Sequence, residues 1–413
     1  MTHQAADHLQ GTSSQPRGND ARQALQFVVL LGVVSLFADM AYEGARSIAG
    51  PYLAMLGASA TVVGVTAGLG ELVGYALRIV SGYISDRTAR YWAVTIVGYV
   101  VNLVAVPLLA LVGHWQLAVL LLVAERIGKA IRTPARDAML SYATSQVGRG
   151  WGFGIHEALD QTGAVLGPLL VVGAMWLGDG YRSGFAILAL PAICALTVLI
   201  AVRYWHPHPG AFEASAPLVT HGWPKAYWVY LAGSALVSAG FTDFAIIAYH
   251  FEHEKVVRDS LIPVYYAVAM GVDAVAALVL GRLFDQFRYA IVAGAVALAA
   301  PFAPLVFYGG QGAALLGISL WGVGLASQES IMRAAVAELI PAQRRAAAYG
   351  IFNAGYGAAW FAGSTLMGAL YDRSLGALVT FAVVTQVAAV PVLLAVGRRQ
   401  VHHEDDEVAG SGA

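Results

Sequence analysis

The stretch "WGFGIHEALDQTGAVLGPLL", residues 151–170, has the apolar, small-residue composition of a membrane helix, yet it places His156, Glu157 and Asp160 within five positions. A charged side chain at the centre of a bilayer costs about 2.5–3.5 kcal/mol on insertion scales. Three polar groups in little more than one turn therefore need a reason.

The surrounding chain sets the context. Its 413 residues are 58% hydrophobic and 12% charged, with a mean hydropathy of +0.65. Soluble domains carry about 25% charged residues, so this chain cannot cover a water-facing surface in the usual way. Apolar runs recur from Leu25 to Val396, each near the roughly 20 residues that a spanning helix needs. The composition is that of an all-α integral membrane protein. The single cysteine, Cys194, lies inside an apolar run, which leaves no disulfide framework and no thiol metal site. A net charge of −1 speaks against a nucleic-acid partner. Residues 1–24 are hydrophilic and lack the pattern of a cleaved signal peptide; they read as a disordered cytoplasmic tail, as does the stretch 399–413.

Turn signals divide the apolar region into twelve expected spans: 25–47, 59–82, 91–112, 115–139, 150–177, 182–203, 226–250, 261–282, 289–308, 312–339, 346–370 and 377–397. The longest break, within 204–225, separates an N-terminal six-helix bundle (25–203) from a C-terminal one (226–398). Its His206, His208 and His221 lie in a proline-rich stretch that reads as a plain cytoplasmic linker rather than a zinc site, and no metal or other cofactor is expected. With both termini in the cytoplasm, fourteen of the 24 Lys and Arg residues fall in inner segments, against Arg182, Lys255, Arg258 and Arg373 outside. That asymmetry satisfies the positive-inside rule. Trp92, Trp176, Trp205, Trp223 and Trp228 sit near span ends, where indole rings anchor at the interface.

The halves repeat one another. "GYISD" (82–86) ends span 2 and "GRLFD" (281–285) ends span 8, each with an arginine close behind, Arg90 and Arg288. Gly154-Ile155 and Gly350-Ile351 each precede a second glycine, Gly167 and Gly363, by thirteen residues. On this register His156 matches Phe352, Glu157 matches Asn353 and Asp160 matches Tyr356, so charge gathers in the first half. Two six-helix repeats are a recurrent transporter plan, with the substrate site near mid-membrane between them.

These residues resemble the major facilitator superfamily over nearly the whole chain. "GYISDRTAR", with Gly82, Asp86, Arg87 and Arg90, looks like that family's motif between helices 2 and 3, and "GRLFDQFR", with Gly281 and Asp285, is an eroded copy. "GAVLGPLL", with Gly163, Gly167 and Pro168, resembles the Gly-x-x-x-Gly-Pro motif of the antiporter branches but lacks the following glycine pair. Arg126 stands where the family often carries an arginine in helix 4. The run "ERIGKAIRTPARDAML…GFGIHEALDQTGAVLGP" is similar to a bacterial subgroup of unassigned substrate. The resemblance implies two bundles rocking about a central cavity lined by helices 1, 4, 7 and 10.

The charged residues inside the spans line up on faces. Asp39, Glu43 and Arg46 share one face of span 1; Glu125, Lys129, Arg132 and Arg136 share one of span 4; His156, Asp160, Gly163 and Gly167 share one of span 5. Such alignment points inward, to partners or a wet cavity. The spans hold nine acidic residues (Asp39, Glu43, Glu71, Glu125, Glu157, Asp160, Asp243, Asp273 and Glu329) and six basic ones (Arg46, Arg78, Arg126, Lys129, Arg132 and Arg333). The acidic excess cannot all be paired, and an unpaired buried carboxylate escapes by taking a proton. Asp39, Glu43, Asp160, Asp243 and Glu157 are therefore candidates for proton coupling, Asp243 being the one with no basic residue near it in its span. A network that only ties helices together is the plainer reading of the same groups.

Arg46, Arg126, Lys129, His156, Gln328, Asn353 and Tyr356 are the candidates for the substrate cavity, while Glu329 and Arg333, four residues apart, are expected to satisfy one another. Arg132, Arg136 and Asp137 are close enough to the inner mouth to pair with Asp86 and gate it. Gly163 and Gly167 form a close-packing face, and Pro168 is expected to weaken the helix beyond it. No Walker A, HExxH, CxxC or GxSxG pattern is present, so neither an ATP-driven pump nor a membrane hydrolase is supported. The expectation is a non-enzymatic, monomeric secondary transporter in the cytoplasmic (inner) membrane, exchanging protons for a small organic solute in the export direction. Proton symport of an anionic metabolite and a non-transporting sensor or scaffold are the alternatives.

Overall fold

The computed structural model describes residues 18–147, 149–178, 180–207, 223–340 and 345–410. These form twelve helical rods: α1 (Gly18–Met55), α2 (Ala60–Thr88), α3 (Tyr91–Leu108), α4 (Trp115–Val147) and α5 (Arg149–Leu177); α6 (Tyr181–Trp205), α7 (Lys225–His253) and α9 (Tyr289–Tyr308); α8 (Ile262–Phe287), α11 (Arg345–Arg373) and α12 (Leu375–Gly410); and α10 over 311–339. Each expected span has its helix. Among the described residues nine helices are long and apolar enough to cross a membrane. The other three are α4, α10 and α11. Charge interrupts α4, a π turn at Ser327–Ile331 interrupts α10, and small and polar residues dilute α11.

Three local expectations change. Residues 18–24 belong to α1 rather than to a tail. The stretch 399–410 continues α12, which runs on past Gly397 with no proline or glycine between Arg398 and Ala409. α5 runs through Pro168 unbroken to Leu177. A proline inside a membrane helix is tolerated where neighbouring groups satisfy the backbone it frees.

The repeat is visible in the backbone packing. α5 lies on α1 so closely that a Cβ on Gly163 or Gly167 would stand 2.2 Å from the carbonyl oxygen of Leu36 or Met40. In the second half α11 lies on α7 the same way, with a Cβ on Gly363 falling 2.0 Å from the Ala239 carbonyl. Gly167 and Gly363 are the pair that the sequence register matched.

The two ends of the bundle differ. On the side away from the chain termini the halves are pressed together. A Cβ on Gly50 of α1 would lie 1.9 Å from the Ala245 carbonyl of α7. Asp372, at the end of α11, accepts hydrogen bonds from the Ala60 and Thr61 amides (3.0 and 2.9 Å) and from the Thr61 hydroxyl (2.5 Å), capping α2 across the halves. Toward the terminal side, Gly74, Gly154, Gly271, Gly281 and Gly350 meet nothing within 4 Å. The halves are joined at the end away from the tails, whereas at the open end, which carries the tails, Glu157 of α5 and Glu329 of α10 are exposed.

Candidate functional site

The site begins as a ladder between α1 and the antiparallel α4. Residues 35, 39 and 42 of α1 follow helical spacing, and residues 136, 132 and 129 of α4 answer them in reverse order. At the first rung Arg136 donates to Ser35 Oγ (3.1 Å), and its Nε and terminal nitrogen hold Asp137 at 2.9 and 2.8 Å. Ser35 Oγ also meets His156 Nε2 of α5 at 2.9 Å. At the second rung Arg132, fully buried and stacked on the Tyr99 ring at 4.3 Å, pairs with Asp39 at 3.5 Å. At the third, Lys129 Nζ lies 3.4 Å from the centre of the Tyr42 ring, with Arg126 at 4.9 Å from the same ring. Arg126 is itself held by Glu71 of α2 (2.6 Å) and Glu125 (3.6 Å), and Glu125 accepts from Asn102 of α3 at 2.6 Å.

Above the ladder the two halves meet through charge. Arg46 reaches across to Asp243 of α7 at 3.4 Å and lies 4.0 Å from Glu43. Glu43 accepts from the Tyr266 hydroxyl of α8 at 2.5 Å. Asp243 is thus paired from another helix and does not stand unbuffered: α7 breaks at residues 241–243, and the Asp243 carboxylate caps its second segment at the Ala245 amide, 2.9 Å away. Two further carboxyls face one another. Asp160 of α5 lies within electrostatic range of Asp39 of α1, and Asp160 Oδ1 is buried with no hydrogen-bond partner among the described residues.

Two cavities adjoin these groups. One, of about 50 Å³, lies among α1, α2, α4 and α7 and includes Tyr42, Arg46, Glu125, Arg126 and Asp243. The second, of about 30 Å³, lies between the halves and includes Arg46, Glu71, Gln328, Glu329, Asn353 and Tyr356. Tyr356 donates to Gln328 Oε1, and Gln328 donates to the Gly324 carbonyl at 3.1 Å. Arg46, Gln328, Asn353 and Tyr356 therefore line one space, whereas Arg126, Lys129 and His156 do not border it. His156 and Arg136 lie lower, toward the open end. Glu157 is exposed there, accepting only a 3.4 Å bond from Gln161.

Other expectations are revised. Arg132 and Arg136 do not reach Asp86; they are committed to Asp39, Asp137 and Ser35, while Asp86 accepts from Tyr91 at 3.1 Å. Arg87 donates to Tyr83 at 2.9 Å, Arg90 is exposed, and Gly82 sits in ordinary contact with Pro134. Gly281 faces open space; the side chains of Asp285 and Arg333, like residues 208–222 with His208 and His221, lie outside the described ones. Glu329 is exposed and borders the cavity between the halves; its expected pairing with Arg333 falls outside the described side chains. Trp92 is buried and donates to the His206 carbonyl at 3.0 Å rather than facing an interface. Tyr42, Tyr266 and Asp372 escaped the sequence reading altogether, since each acts on a residue at least 80 positions away.

The model of the Major Facilitator Superfamily matches residues 31–364 and again 260–411. The chain belongs to the Major Facilitator Superfamily. An uncharacterized protein of Mycobacterium tuberculosis is 41% identical over 384 residues, covering 91% of this chain and 94% of that one. An uncharacterized transporter of the superfamily from Methanocaldococcus jannaschii is 24% identical over 368 residues, 87% and 92% of the two chains. Among solved structures, a peptide transporter of the POT family crystallised with sulfate shares the fold with a TM-score of 0.74 at 16% identity, covering 91% of this chain and 94% of that one. The protein is thus a multi-pass membrane transporter with a small-molecule solute, not an enzyme.

Proposed function

We propose that this superfamily member is a proton-coupled exporter, exchanging protons for a small organic solute by alternating access. The observation that carries the reading is the buried, unpartnered carboxylate oxygen of Asp160 within electrostatic range of Asp39. Two neighbouring buried carboxylates repel when both are charged, and with Arg132 committed to Asp39 a proton held at Asp160 relieves that repulsion. Arg132 and Arg136 lie beside the pair and can take over either carboxylate as α5 moves against α4. Such an exchange of partners is what a coupled cycle needs: proton uptake in one state and release in the other. The pair also answers the opening puzzle, because Asp160 is tolerated in an apolar helix by sharing its charge with Asp39.

In this reading the open end, which carries both termini, faces the cytoplasm, and residues 25–203 and 226–398 are the two bodies that rock. The Asp372 cap on α2 holds the far side shut. Direction is supported by the likeness of "GAVLGPLL" to the antiporter motif.

Purified protein in proteoliposomes with an internal pH dye tests the coupling. Export predicts proton movement opposite to solute. Asp160→Asn is expected to abolish proton-driven transport while solute counterflow persists. Movement of protons in the same sense as solute establishes symport instead, and no proton movement at all defeats the coupling.

A further inference from the structure

One cluster of charge plays no part in the ladder. Glu157 of α5, Asp273 of α8 and Glu329 of α10 lie within electrostatic range of one another, contributed by both halves at the open end. Glu157 and Glu329 are exposed to the cleft. Asp273 is only 2% exposed, has Gln161 of α5 beside it, and its Oδ1 has no hydrogen-bond partner among the described residues. A buried carboxylate oxygen left without a donor is a costly feature unless something else arrives to satisfy it.

Among the described side chains the neighbouring cations are engaged elsewhere. Lys129 lies on Tyr42, and Arg46 is held by Asp243 and Glu43. Arg78 stacks near Tyr75 at 5.4 Å on the opposite flank, within range of Glu71. Glu329 also opens into the inter-half cavity whose wall is aromatic: Tyr75, Phe352, Tyr356 and Trp360. Phe352 and Tyr356 stack at 5.8 Å, and Tyr356 and Trp360 approach to the same distance. The π turn at Ser327–Ile331 places Gln328 and Glu329 together in that wall, and such turns recur at functional sites. Carboxylates beside aromatic faces are the chemistry that recognises an ammonium group.

We propose that the solute is an organic cation, its charged group held by Glu157, Asp273 and Glu329 and its hydrocarbon part against the aromatic wall. The proposal rests on the transport reading for the passage of the solute, but the binding itself does not require proton coupling. A cation between carboxylates of opposite halves also removes the repulsion that holds the open end apart, so binding favours closure there.

The test is equilibrium binding to the purified full chain in nanodiscs, read by tryptophan fluorescence, with benzyltrimethylammonium and the similarly sized anion benzenesulfonate as probes. Benzyltrimethylammonium is expected to bind and benzenesulfonate not to. Glu329→Gln and Asp273→Asn are each expected to weaken binding by about tenfold or more, as loss of a desolvated charge partner does. Lys255→Gln, exposed at the opposite end of the molecule, should leave it within about twofold, with thermal unfolding confirming that every variant is folded. Preference for the anion, no binding of the cation, or unchanged cation binding in both Glu329→Gln and Asp273→Asn overturns the proposal. Asp160→Asn separates the two readings: it should retain cation binding even though coupled transport is lost.

Discussion

The two halves of this transporter share a backbone arrangement and differ in chemistry. Gly167 seats α5 on α1 and Gly363 seats α11 on α7 with nearly equal closeness. On those matched helices the first half carries His156, Glu157 and Asp160, and the second carries Phe352, Asn353 and Tyr356. The first half fills its interior with ion pairs between α1 and α4. The second fills the equivalent region with rings: Phe241 stacks on Trp321 at 5.2 Å, and Tyr230 stacks on Phe352 at 6.0 Å. Close packing is thus the property the repeat preserves, and charge is what one half adds to it. A half built of interlocked rings has few alternative arrangements, whereas carboxylates and guanidiniums can exchange partners. Buried ion pairs thus concentrate in the first half and ring stacks in the second.

The largest effect expected from breaking this contrast is functional. Asp39→Asn, like Asp160→Asn, should reduce proton-driven transport to the level of empty vesicles while the purified protein keeps its monodisperse profile. Arg132→Leu attacks the same half energetically. It strips Asp39 of its buried partner, and removing one member of such a pair costs about 3–5 kcal/mol, to be read as a fall in thermal unfolding temperature. If Asp39→Asn is then added, most of that loss should return, because no unpaired charge remains.

The packing shared by both halves gives a smaller, symmetric prediction. Gly167→Leu and Gly363→Leu should each destabilise by about 1–3 kcal/mol through overpacking, and by similar amounts. A large difference between the two would mean that the repeat is not equivalent in energy. The smallest effect is at the closed end: Asp372→Ala removes the cap on α2, worth about 1 kcal/mol, and should shift the protein toward opening there. Thiol labelling of Ser364→Cys in a Cys194→Ala background should accelerate in the Asp372→Ala variant.

Much of this was legible in sequence. Span number, the repeat and the alignment of Asp39, Glu43 and Arg46 follow from periodicity, which depends only on neighbours along one helix. The α1–α4 ladder was half legible: each face could be seen, but not which rung met which. Arg46 with Asp243 and Glu43 with Tyr266 were invisible, since the rotation of one helix against another 200 residues away leaves no trace in spacing. Asp243 is a different case. Thr242-Asp243 ahead of an apolar run is a helix-start signal, and reading it would have revealed a cap where the sequence reading saw only an isolated carboxylate. The π turn at Ser327–Ile331 could not have been foreseen, because such a turn has no reliable sequence mark.

The central claim is that one proton rests between Asp39 and Asp160. Infrared difference titration of the wild-type protein in nanodiscs, beside Asp39→Asn and Asp160→Asn, addresses it without knowledge of the solute. The account predicts a protonated-carboxyl band near neutral pH that disappears when either aspartate is replaced. A spectrum in which that band is absent from the wild type, or survives in both variants, contradicts it.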